Sequence, residues 1–197
     1  MIISKKCKLL FVHIQKNGGT SLQRLIMQQI PSAKLWKGHH SDIRRAEKEL
    51  GTALAKYYTF AFVRNPWDRM ISWYSMIEQT YQGRPIVRDA MEDVPFRRFI
   101  RQHIGKTPHK IIAKPQVDYL VGANGQCLVE NIYRFEKYEE ECQRLCDRIG
   151  LDASQISHRN PSDHRHYSTY YDAETQQIVA EHFAADCEAF GYSFETT

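Results

Sequence analysis

The chain has 197 residues, 42% hydrophobic, 25% charged and 12% aromatic, a balance that suits one globular domain and excludes a disordered or low-complexity chain. A formal charge of +4 with no dense Lys/Arg block argues against a dedicated nucleic-acid binder and fits a basic cleft for a small polyanion. Met1 to Lys8 is short and mixed, and the apolar run Leu9 to Ile14 falls far below the roughly 20 residues that cross a bilayer, so neither a signal peptide nor a membrane span is expected.

Lys8 to Ile14 is rich in strand formers and ends in the turn composition Gln15-Lys16-Asn17-Gly18-Gly19. Thr20-Ser21 opens a helical pattern with Leu22, Leu25, Ile26 and Ile30 on one side, stopped by Pro31. Lys34 to Lys37 reads as a short strand and Ser41 to Leu50 as a helix closed by Gly51. Tyr57 to Val63 is the clearest buried strand; Arg64-Asn65-Pro66 ends it, and Trp67 to Gln79 resumes helical periodicity. The middle is punctuated by Gly83, Pro85, Pro95, Gly105 and Pro108, with one helix at Pro95 to His103. Asn131 to Phe135 reads as a strand, Glu136 to Ile149 as an amphipathic helix ending at Gly150, Ser154 to Ser168 as a polar loop, and Asp172 to Ala189 as a last helix capped by Asp172. Alternating strand and helix units predict an α/β fold with a mainly parallel sheet flanked by helices, in which ligands sit at the carboxyl ends of strands.

Two strand-end loops carry chemistry. In Gln15 to Ser21 the glycines let backbone N–H groups approach an anion, the helix start adds partial positive charge, Thr20 and Ser21 offer hydroxyls and Lys16 a full charge. The same residues would also serve as a plain strand-to-helix turn capped by Thr20 or Ser21. The loop is not a Walker A sequence, because its lysine precedes the glycines. In the second loop Arg64 stands at a strand end with Ser72 eight residues on, a pair suited to a second phosphate. Arg69 suits an ion pair with Asp68 or another acid.

Phe11 to Ser21 resembles the 5′-phosphosulfate loop of the sulfotransferases that use 3′-phosphoadenosine-5′-phosphosulfate (PAPS), and Phe62 to Arg69 with Ser72 resembles their 3′-phosphate motif. The branch most similar holds the heparan sulfate 2-O-sulfotransferases, the carbohydrate sulfotransferases and many short bacterial members. Tyr133 to Glu136, Tyr170 to Asp172 and Phe190 to Tyr192 match more loosely. The branch usually carries Pro-Lys-Thr-Gly-Gly-Thr; here Gln15 and Asn17 replace the Pro and the first Thr, so cofactor binding is expected to be tuned.

The resemblance implies one sulfotransferase domain over residues 1–197, with a P-loop-like three-layer fold. It implies PAPS as donor, adenosine 3′,5′-bisphosphate as product, and no metal. Lys16 would contact the phosphosulfate and neutralise the leaving oxygen; backbone groups at Asn17, Gly18, Gly19, Thr20 and Ser21 would hold the 5′-phosphate; Arg64 and Ser72 would hold the 3′-phosphate; Arg165 would cover the cofactor. In-line attack by an acceptor hydroxyl (less readily an amine) needs a base titrating near neutrality, which favours histidine. Gly38-His39-His40-Ser41 follows the candidate second strand; His39 gives the better match to the family's catalytic histidine, with His40 and Glu78 as alternatives. His164-Arg165-His166 reads as a loop, since no Cys or carboxylate pattern completes a metal site.

The segment Tyr81 to Lys114, with Arg84, Arg88, Arg97, Arg98, Arg101 and Lys110, is expected to face the acceptor, a small molecule or a carbohydrate. Five scattered cysteines, Cys7, Cys127, Cys142, Cys146 and Cys187, suit reduced thiols and a cytoplasmic protein. The competing reading is a non-catalytic nucleotide- or polyanion-binding domain; an ATP-using kinase is disfavoured because ATP has no 3′-phosphate for Arg64 and Ser72.

Overall fold

The computed structural model describes residues 1–81, 93–156 and 165–196. Residues 1–64 with 116–156 form one compact unit, and 65–81, 93–115 and 165–196 a second. Arg84, Arg88, His158 and His164 lie outside the described residues.

The first unit is built on a five-stranded sheet: β1 (Ile2–Ser4), β2 (Leu9–Val12), β3 (Ala33–Leu35), β4 (Tyr58–Val63) and β5 (Asn131–Arg134). Their spatial order is β3-β1-β2-β4-β5. β2 pairs parallel with β4, and β4 with β5, while β1 runs antiparallel to both β2 and β3. Four strands therefore share one direction, as the alternating pattern predicts. β1 is the element the sequence reading misses. Three residues are too few to display a period, yet Ile2 and Ile3 are fully buried because β1 fills an interior lane of the sheet.

Three helices belong to this unit: α1 (Gly19–Gln29), α2 (Arg44–Leu50) and α5 (Tyr138–Ile149). Side chains alternate across a strand. Phe11, Phe60, Phe62 and Tyr133 thus share a face, where they pack with Leu22, Leu25, Ile26 and Ile30 of α1 and Cys142, Leu145 and Cys146 of α5. Phe60 stacks on Phe11 with centroids 4.9 Å apart. α2 starts at Arg44, later than the expected Ser41, because the Ser41 hydroxyl donates to the Lys37 carbonyl and the Ile43 N–H donates to the Tyr119 carbonyl. α5 is preceded by a 3-10 turn at Phe135–Lys137 and ends on Gly150, whose φ of 73° supplies the left-handed cap.

The second unit is helical: α3 (Pro66–Tyr81), α4 (Asp93–Ile100), α6 (Ala173–His182) and α7 (Ala184–Phe190). Its core gathers Trp67, Met70, Ile71, Phe96, Phe99, Tyr170, Tyr171 and Phe183. Asp172 caps α6 through a full capping box with Thr175. The expected single last helix breaks at Phe183, whose ring is fully buried in that core and whose backbone leaves the helical region at ψ 26°. The helix expected through His103 stops at Ile100 and continues as a π-helical turn, Arg101–Lys106. Among the described residues no helix is long and apolar enough to cross a membrane.

Phe60→Ala removes a fully buried ring from the sheet-helix interface. We expect a loss of about 3–5 kcal/mol, read as a lowered midpoint in denaturant unfolding.

Candidate functional site

Val12 is the last residue of β2, and the chain then leaves the sheet through His13 to Gly18 before α1 begins. The turn needs two left-handed residues: Lys16 at φ 69° and Gly18 at φ 75°. Glycine adopts this freely, whereas holding Lys16 there costs on the order of 1–2 kcal/mol, strain that marks a position held for another reason. Space also demands the glycines. A Cβ on Gly18 would sit 2.6 Å from Tyr138 and 2.9 Å from Phe135, and one on Gly19 would sit 2.3 Å from the His13 ring. The Tyr138 hydroxyl donates to the Gly18 carbonyl at 2.8 Å.

Gly18 is the N-cap of α1, with no side-chain cap and no acidic residue in the first turn. Thr20 and Ser21, the caps of the plain-turn reading, lie inside the helix, and the N-cap position supplies no side-chain acceptor. That leaves a helix start poised for an anion.

Asn17 has a different part. Its side chain is 1% exposed and turned inward, where Nδ2 donates to the Phe62 carbonyl at 2.7 Å and to Gln116 Oε1 at 2.8 Å. Its Oδ1 is buried without a hydrogen-bond partner. The side-chain donors are thus spent on the fold, and only the Asn17 backbone remains for a ligand. Gln116 also accepts from the Arg64 N–H at 2.9 Å and donates to the Arg64 carbonyl at 2.8 Å. Sequence reasoning misses Gln116: it lies in an irregular stretch far along the chain, with no pattern around it.

Arg64 is 3% exposed. Its Nη1 donates to the Lys16 carbonyl at 3.1 Å, and its guanidinium lies 4.1 Å from the Phe135 ring centroid. The parallel β2–β4 pairing therefore brings the two loops that resemble phosphate motifs to one edge. Burial first, and then the nearby Arg64 charge, lower the Lys16 pKa to about 8.

Histidines collect beside the loop. His13 is buried and stacks on Phe11, its Nδ1 lies 3.3 Å from Gln23 Oε1, and its ring meets that of His40 edge-on at 4.6 Å. The Gln23 Nε2 lies 3.5 Å from His39 Nδ1. His40 Nδ1 donates to the His13 carbonyl at 3.0 Å. Burial, followed by the His40 charge, lowers the His13 pKa to about 3; burial lowers that of His40, against the opposing bond to the His13 carbonyl. His13 passes in the sequence as part of a strand; its place against Gly19 becomes visible only in three dimensions.

Of the remaining candidates, Ser72 and Arg165 belong to the second unit. Ser72 is buried on α3, and the Arg165 guanidinium lies 5.3 Å from the Tyr170 ring centroid. Arg69 is fully buried and donates to the Lys114 carbonyl. Arg101 is engaged by Asp172 and Glu174, and Arg97 by the Tyr170 carbonyl. Among the described residues no group of three or more His, Cys, Asp or Glu side chains could hold a metal ion. A separate concavity lined by Tyr58, Tyr133, Arg144 and Arg148 shares no residue with the loop.

A model of the sulfotransferase family matches residues 1–193. No match is found among curated proteins or among solved structures.

Gln116→Ala would strip partners from the Arg64 N–H, the Arg64 carbonyl and one Asn17 donor. Each buried group left unsatisfied costs about 1–3 kcal/mol. We expect chemical denaturation to show a loss above about 2 kcal/mol, larger than for a cavity of the same size in an apolar setting.

Proposed function

The chain belongs to the sulfotransferase family and is a sulfotransferase; we propose that its donor is PAPS and its acceptor a hydroxyl group, with a carbohydrate among the acceptor classes. The observation that carries the donor assignment is a lysine with a lowered pKa beside a buried arginine at an uncapped helix start. Such a donor set fits a phosphosulfate. Two cationic side chains close together at a helix start suit an anion, and the backbone turn leaves N–H groups to meet it.

The donor supplies a sulfur–oxygen bond that breaks as the acceptor oxygen bonds to sulfur. Lys16 lies by the leaving phosphate oxygen and stabilises the charge it gains, a contact that strengthens as the bond breaks. The backbone N–H groups of Asn17, Gly18, Gly19, Thr20 and Ser21 hold the 5′-phosphate. Arg64 binds the 3′-phosphate. Ser72 and Arg165 keep the roles that the resemblance implies, to be tested by substitution. The acceptor proton passes to a histidine of the Gly38–Ser41 turn. We assign that base to His39. A specific observation favours His40 as the second reading: its Nδ1 bond to the His13 carbonyl leaves the Nε2 lone pair available. The odd number and scattered spacing of Cys7, Cys127, Cys142, Cys146 and Cys187 suit a reducing, cytoplasmic setting.

Calorimetric titration with adenosine 3′,5′-bisphosphate and with adenosine 5′-phosphosulfate tests the donor site: the first should bind much more tightly, and equal affinities would reject the 3′-phosphate reading. Arg64→Ala should cost about 1.5–3 kcal/mol of bisphosphate binding. Binding without turnover of labelled PAPS across an acceptor panel would favour a non-catalytic binding domain instead. His39→Ala should cut turnover at least about a hundredfold with bisphosphate affinity nearly unchanged; the same result from His40→Ala alone would move the role to His40.

Lys16 gives a pH signature. A bound anion favours the ammonium, so the lysine pKa rises from about 8 in the free protein on binding. Affinity is therefore full below about pH 8 and falls as pH rises beyond it, by at most about tenfold per pH unit. Near pH 8.5 to 9 binding takes up a proton, which titrations in buffers of different ionisation enthalpy would show. Lys16→Met should abolish that uptake.

A further inference from the structure

One side chain bridges two of the clustered histidines. Gln23 lies one helical turn beyond Gly19 on α1, half-buried, with its carboxamide between His13 Nδ1 at 3.3 Å and His39 Nδ1 at 3.5 Å. The His13 ring and the His39 backbone are held from elsewhere. His13 is buried against Phe11 and the Gly19 backbone, and the Met1 nitrogen donates to the Gly38 and His39 carbonyls.

A carboxamide has one end that only accepts and one that only donates. A neutral imidazole carries its proton on one nitrogen. Whichever way the Gln23 amide is turned, one of the two Nδ1 atoms must therefore carry a proton and the other must not. With Oε1 toward His13, that ring is Nδ1–H, and His39, accepting at Nδ1, carries its proton on Nε2, where it cannot take another. With the amide turned by half a rotation, an exchange that barely alters its shape, His39 becomes Nδ1–H with a free Nε2 lone pair. His13 becomes Nε2–H. The His13 Nε2 lies on the ring edge that faces Gly19, 2.4 Å from where a Cβ would stand, so its proton would sit beside the glycine turn.

We propose that Gln23 is a positioning residue whose single carboxamide locks His13 and His39 in opposite tautomers, His39 as Nδ1–H with a free Nε2 and His13 as an Nε2–H donor beside the Gly19 turn. Which ring is Nδ1–H, and the consequence for turnover, rest on the reading of His39 as the base; that the two tautomers are opposite does not. Burial and the neighbouring His40 keep His13 neutral, which the lock requires.

Nitrogen chemical shifts of 15N-histidine-labelled protein at about pH 8.5, where ordinary imidazoles are neutral, read each tautomer directly. The wild-type protein should show His13 as Nε2–H and His39 as Nδ1–H. Gln23→Leu, close in size and without polar atoms, should leave at least one ring a mixture and lower turnover roughly tenfold or more, as loss of an orienting group does elsewhere. Gln23→Glu accepts from both rings. It should keep His39 as Nδ1–H, switch His13 to Nδ1–H, and retain more turnover than Gln23→Leu. The same tautomer in both wild-type rings, the reverse pair, or tautomers unchanged in Gln23→Leu would overturn the proposal; the wild-type spectra decide this even if a variant folds poorly. Opposite tautomers in a protein that fails to bind adenosine 3′,5′-bisphosphate would uphold the lock and reject the donor reading instead.

Discussion

Four hydrogen bonds in a fully buried knot fix the relation between the glycine turn and the end of β4. Asn17 donates to Phe62 and to Gln116, and Gln116 closes on both backbone groups of Arg64. None of these groups meets water, so each bond is held in place by the cost of leaving its partner unsatisfied. The parallel register sets β2 beside β4, but register alone fixes strands, not the loops beyond them. The knot carries that order one step further, to the atoms that would touch a ligand.

This arrangement explains how a lysine in a left-handed backbone conformation persists. Lys16 cannot relax without disturbing Asn17 on one side and the Arg64 contact to its own carbonyl on the other. Lys16 and Arg64 are thereby kept close, and burial, followed by the Arg64 charge, lowers the Lys16 pKa. An asparagine at position 17 is explained in the same way. A carboxamide has two N–H donors, and the knot uses both.

The parallel core was legible in the sequence because Leu9–Val12 and Tyr58–Val63 are apolar runs of ordinary strand length, each closed by turn residues. The turn between β2 and α1 was legible because Asn17, Gly18 and Gly19 follow a short apolar run, a composition that closes strands. What escaped was of two kinds. Short elements such as Ile2–Ser4 gain their structure from neighbours, not from their own pattern, and the break at Phe183 comes from a ring drawn into a core formed by distant residues. Partnerships such as Asn17 with Gln116, or His13 with Gly19, have no local signature at all, because sequence separation hides a contact whose logic is entirely spatial.

The second unit is assembled from two stretches separated by the whole of 116–156. Its aromatic core sets Trp67, Met70, Phe96 and Phe99 from the early stretch against Tyr170, Tyr171, Val179 and Phe183 from the late one. The Tyr171 hydroxyl bonds the Trp67 carbonyl, and the Trp67 indole bonds the Gln176 carbonyl. On the ribosome, the early half must therefore wait for about a hundred residues of synthesis, several seconds at the usual rate of elongation, with its large rings uncovered. The sheet of the first unit needs only β5 to finish. The last strand of the sheet is thus synthesised before the late stretch that completes this aromatic core.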